Sequence, residues 1–64
     1  MDKEYYHTEI TYWRRRQGCW LSEYRRALRL GDTWSARVTL DGLRFCAGQV
    51  SFLTKQLKKE VAAN

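Results

Sequence analysis

Six arginines carry the densest chemistry in this 64-residue chain. Arg14, Arg15, Arg16, Arg25, Arg26 and Arg29 fall between positions 14 and 30, where Glu23 is the one acid. That stretch carries +5, which equals the formal net charge of the whole chain. Residues 1–13 are net −2, residues 31–47 balance, and residues 48–64 are net +2 from Lys55, Lys58 and Lys59 against Glu60. Arg offers a planar fork of donors that fits phosphate and carboxylate, and its guanidinium stacks on rings. The block therefore points to an acidic partner, either nucleic acid or an acidic protein face, with Lys55, Lys58 and Lys59 as a secondary basic patch. The ordinary alternative is a solvated helix face.

The other reactive side chains suggest no further chemistry. Cys19 and Cys46 stand 27 positions apart without a C-x-x-C pair, and His7 alone cannot complete a four-ligand zinc site with them. Two buried free thiols are expected, with a single Cys19–Cys46 disulfide the alternative if the fold brings them together. The seven acids are scattered, no nucleophile has a base beside it in sequence, and the glycines at 18, 31, 42 and 48 are isolated rather than gathered into a phosphate loop. No catalytic residue, metal, cofactor or small-molecule substrate is expected, and enzymatic activity is not. No apolar run approaches the roughly 20 residues of a membrane span, and no signal peptide is visible. The expectation is a soluble, cytoplasmic chain.

These residues need elements to position them. At this length the chain is read as one small domain over 1–64, with a core that buries only about 60% of the unfolded surface. A content of 14% aromatic residues argues against disorder. Before Gly31, Tyr6, Ile10, Trp13, Trp20, Tyr24 and Ala27 recur at spacings of three and four, with Gln17 in the one polar slot and Leu21 and Leu28 widening one flank. That stripe predicts an amphipathic helix over roughly 3–30. Asp2 is the candidate N-cap, Glu4 suits the first turn, Arg29 the last, and Gly31 the C′ position. Gly18 is the weak point, costing about 1 kcal/mol relative to Ala. Thr8 to Trp13 is also β-prone, so a break or an N-terminal strand competes. On the helix, Arg15, Arg26 and Arg29 lie opposite the ring stripe with Arg25 beside them, and Arg14 and Arg16 flank it.

After Gly31 two patterns compete. Asp41-Gly42 between alternating apolar residues is a strong hairpin signal. A two-residue loop there pairs Leu40 with Leu43, Val38 with Phe45 and Ala36 with Ala47 on one face, extended by Trp34. Thr39, Arg44, Arg37 and Cys46 take the other face. The preferred fold class is thus small, helix-rich α+β: a long N-terminal helix, an Asp41-Gly42 β-hairpin and a C-terminal helix. The alternative is an all-α antiparallel helical hairpin, with a second helix from about Ser35 to Val61. Its stripe would be Ala36, Leu40, Leu43, Ala47, Val50, Leu57 and Val61. It strands Val38, Phe45 and Phe52 on the far side, where a second chain would have to cover them in a dimer. Both readings make 49–62 helical, with Val50, Leu53, Leu57 and Val61 inward and the three lysines outward.

Three functions follow, of which binding to nucleic acid, or to a protein that handles it, through the Arg14–Arg29 surface is the preferred one and a protein-interaction module the alternative. Nucleic-acid binding would draw salt-sensitive affinity from arginine–phosphate contacts, though no recognition-helix, zinc-finger or RNA-recognition ring motif accompanies the block. A protein-interaction module that dimerises or docks on an acidic face fits the excess of rings and Arg, the composition of interface hot spots. A membrane-surface helix fits less well, because Gln17 interrupts a ring face that has the pattern of core. In overall character, Tyr12-Trp13-Arg14-Arg15-Arg16 followed by Trp20-Leu21-Ser22-Glu23-Tyr24-Arg25-Arg26 resembles the small accessory proteins of lambdoid bacteriophages. That resemblance implies a regulator of host or phage machinery rather than an enzyme, and it carries no residue roles with it.

Overall fold

The computed structural model of the chain describes residues 3–63. Two helices, α1 (Lys3–Arg29) and α2 (Thr33–Ala63), pack against each other as an antiparallel hairpin 50 Å long and 14 by 12 Å across. The expected N-cap Asp2 lies outside the described residues.

Helix α1 follows the sequence pattern closely. Tyr6, Ile10 and Ala27 are buried, and Trp13, Gln17, Trp20, Leu21 and Tyr24 are partly buried on the same side. Leu28, in the final turn, is exposed. The helix runs unbroken through Gly18 and the β-prone segment before it. Burying one stripe over seven turns outweighs a propensity cost of about 1 kcal/mol at Gly18.

The turn is written in residues 30–32. Gly31 has φ of 68°, the left-handed conformation that a residue without Cβ takes at least cost. Its N–H donates to Leu28 O, and the Asp32 N–H donates to Ala27 O, the paired bonds of a Schellman end. Asp32 then begins α2. Its carboxylate accepts from the Ser35 N–H (3.0 Å) and the Ser35 hydroxyl (2.7 Å), so one residue closes α1 and caps α2. These hydrogen bonds hold the Asp32 carboxyl below its ordinary value, the Ser35 N–H contributing most.

The β-hairpin expected at Asp41-Gly42 does not form, and α2 passes straight through both residues. An isolated two-stranded ribbon is marginal in water, whereas a helix here lays apolar side chains along the whole of α1. The cluster of Tyr6, Ile10 and Leu53, with Trp13, Val50 and Leu57 against it, is the densest part of that seam. The fold class is therefore the all-α antiparallel hairpin. Its inner stripe differs from the one drawn from the sequence. Thr39, Cys46 and Leu53 are buried, Leu43, Val50 and Leu57 partly so, while Ala47 and Val61 are exposed. The Thr39 hydroxyl donates to the carbonyls of Ser35 (2.8 Å) and Ala36 (3.1 Å), and the Thr54 hydroxyl to Val50 (2.7 Å). Such back-bonding satisfies the hydroxyl and lets threonine serve as core.

Gly42 explains the rotation of the stripe. A Cβ placed on it would stand 2.5 Å from Cδ2 and Cε2 of Trp20. The indole therefore lies directly on the backbone of α2. The glycine that resembled a hairpin turn is a seat for a ring.

Candidate interaction surfaces

Among the described residues no group of three or more His, Cys, Asp and Glu could hold a metal ion. Among the same residues no helix is long and apolar enough to cross a membrane. Cys46 is buried, as expected, but Cys19 is exposed, contrary to the expectation of two buried thiols; both are free. Cys19 falls on the outward side of α1, one position before the ring stripe.

Two surfaces stand out, on largely different sides of the hairpin and meeting at Arg26, which lines a shallow groove with Leu30, Trp34 and Val38. The first is cationic. Arg14, Arg15, Arg16, Arg25, Arg26 and Arg29 are all exposed, and among the described residues none of them forms an ion pair. At about 100° per residue, Arg14, Arg15, Arg25, Arg26 and Arg29 fall within an arc of roughly 120° on the side of α1 away from its rings. Arg16 does not join them. Its guanidinium carbon lies 5.9 Å from the centre of the Tyr12 ring, on the other flank. Lys55, Lys58 and Lys59 are exposed but lie at the far end of the molecule, because the antiparallel packing sets 55–59 beside the start of α1. They do not extend the arginine surface. Arg37 and Arg44, exposed on α2, lie level with the α1 arginines along the hairpin axis. Sequence reasoning passed over them because a β-hairpin would have placed them elsewhere.

The second surface is apolar. Val38, Phe45 and Phe52 recur every seven residues on α2 and are 40%, 59% and 58% exposed. Trp34, one turn before Val38, is 73% exposed. Residues seven apart on a helix drift by only about 20°, so these four form one line roughly 27 Å long. A shallow groove lined by Tyr12, Trp13, Trp20, Val38, Asp41 and Phe45 joins that line to α1. Phe45 meets Trp13 edge to face, with centroids 5.6 Å apart and planes at 72°. Tyr12 stands against Trp13 in the same manner at 5.2 Å. Tyr5, seven residues before Tyr12, is likewise half exposed. The Val38–Phe45–Phe52 line was visible in the sequence as the consequence of a continuous second helix. Trp34 and the tyrosines were not, since Trp34 was assigned to the apolar face of the hairpin that did not form.

Comparison of the chain with protein-family models, with curated proteins and with solved structures finds no match.

Proposed function

We propose that this chain is a non-enzymatic interaction module that works by protein–protein contact, dimerising or docking on an acidic face of a regulatory protein. What supports the reading is the exposed line of Trp34, Val38, Phe45 and Phe52. Solvent-exposed rings and aliphatics in a continuous row mark a surface that another macromolecule covers. Aromatic anchors are also the residue types that dominate interface energetics. The arginine surface on the other side supplies an electrostatic contact for an acidic face, raising encounter rate and selecting partners. Placement in the cytoplasm and a role as a phage-type regulator belong to the same proposal.

The test is site-specific photo-cross-linking in cells, with the reactive side chain at position 52 and, as a control, at Thr11 on the outward side of α1. Adducts from position 52, whether to this chain or to another protein, support the module. No adduct of any mass from position 52 refutes it.

A second reading, nucleic-acid binding through Arg14, Arg15, Arg25, Arg26 and Arg29, is favoured by the five exposed guanidinium groups on one side without ion pairs. It requires that binding to duplex DNA or single-stranded RNA fall steeply with salt. Replacing Arg15, Arg26 and Arg29 together with Gln should leave helicity unchanged and abolish that binding. Binding that survives the triple substitution excludes the arginine surface.

A further inference from the structure

We infer that the occupant of the apolar flank is a second copy of this chain, joined through Trp34, Val38, Phe45 and Phe52 of each hairpin into a symmetric four-helix bundle. This rests on the interaction-module reading and deepens it by naming the partner.

Three observations carry it. The first is area. The chain exposes 5,065 Å², whereas a monomeric globular protein of this mass exposes roughly 4,300 Å². The surplus of roughly 700 Å² is close to the roughly 800 Å² that each partner buries in a stable interface. The source of the surplus is visible: a rod 14 by 12 Å across has only one seam, so each helix can shield a single stripe.

The second is pattern. Helix α2 carries two apolar lines. One (Thr39, Cys46, Leu53) meets α1, and the other (Val38, Phe45, Phe52) sits one position before it at every step. Adjacent lines repeating every seven residues are what a helix needs when it touches two neighbours at shallow crossing angles, as in a four-helix bundle. A helix with only one neighbour needs one line.

The third is charge. Each copy is formally +5, so two copies repel unless they meet where the cations are not. Four of the six α1 arginines lie away from the aromatic flank, while Arg16 and Arg26 border it. Near the rings the flank carries both signs, with Arg16, Arg26, Glu23 and Asp41. A twofold interface pairs one patch with itself, so a patch of mixed sign suits it and a patch of one sign does not. The same symmetry leaves the arginine surface of each copy facing outward, free for another partner.

Sedimentation of the full chain over roughly 5–200 µM tests this directly. The expected mass is twice 7.7 kDa, and a blue shift of tryptophan emission should track the mass as exposed Trp34 is covered. Raising sodium chloride from about 50 to 500 mM should leave the dimer intact or tighten it, because salt screens only the repulsion between copies. The double substitution V38E/F52E should return the monomer mass, whereas R25Q/R29Q, away from the apolar line, should not. If V38E/F52E also loses helicity, the wild-type mass, its salt response and the Trp34 shift still decide. A wild-type monomer at the highest concentration overturns the inference, as does a dimer that survives V38E/F52E or dissociates in salt. Heavier adducts from position 52 with no self-adduct would assign the flank to a different protein, leaving the module reading standing and this inference refuted.

Discussion

Gly42→Ala is the substitution that most directly interrogates the helix seam. In an ordinary helix interior, Ala in place of Gly gains about 1 kcal/mol. Gly48 offers the reference: a Cβ there meets nothing within 4 Å, so Gly48→Ala should realise most of that gain. At Gly42 the same methyl would stand 2.5 Å from two atoms of the Trp20 ring and 2.9 Å from a third. Carbon atoms rest about 3.5–4.0 Å apart, so the indole must retreat by roughly 1 Å or turn away. Trp20 is half-buried between the helices, and displacing it opens the middle of the seam. Overpacking of this kind costs about 1–3 kcal/mol. Gly42→Ala should therefore fall below Gly48→Ala by about 1–3 kcal/mol, which for a domain of this size separates their Tm values by at least about 4 °C. Thermal unfolding followed by circular dichroism, at one fixed protein concentration, reads the difference. Removing the obstacle should reverse the sign: in a Trp20→Ala background, Gly42→Ala should stabilise as Gly48→Ala does. Equal stabilisation by both alanines in the wild-type background would refute the ring seat. So would a cost at Gly42 that persists without Trp20.

Other substitutions test the turn and the thiols. Gly31→Ala should destabilise the hairpin by about 1 kcal/mol in the same assay, because any Cβ is strained at φ of 68° although the space is open. Asp32 has a folded pKa depressed by its Ser35 hydrogen bonds, so its contribution to stability is complete above its ordinary value of 3.8 and is lost as pH falls through the folded value. Asp32→Asn keeps the cap and should flatten that acid limb in a pH series of urea melts. Native protein should react with a thiol reagent once, at exposed Cys19, and a second time only on unfolding, when Cys46 is released. Gly18→Ala, where a Cβ meets nothing within 4 Å, should stabilise by up to about 1 kcal/mol.

How far the fold was legible varied along the chain. The α1 stripe of Tyr6, Ile10, Trp13, Gln17, Trp20, Tyr24 and Ala27 could be read directly, since large apolar groups at helical spacing have one economical arrangement. The Schellman glycine and the basic last turn were equally plain. Residues 34–47 could not be read alone, because Asp41-Gly42 satisfies a tight turn by its chemistry and a helix by its neighbours. The arginine surface was legible as a composition and, for Arg15, Arg25, Arg26 and Arg29, as a face, with Arg14 joining its edge in the structure. Arg16, read as flanking the ring stripe, lies on the other flank by helical register, beside the Tyr12 ring. The lysines were grouped with the arginines by charge, a property that ignores which end of an antiparallel hairpin each occupies.

Local pattern alone thus set the identity of α1, its end at Gly31 and the concentration of positive charge, because each depends on residues within a few positions of one another. Only the packing of one helix on the other decided that Gly42 receives an indole rather than turning the chain, that Thr39 and Cys46 face inward, and that Trp34, Val38, Phe45 and Phe52 are left in water. A helix has more apolar surface than one neighbour can cover, and which part is covered depends on where the neighbour's largest side chain finds room.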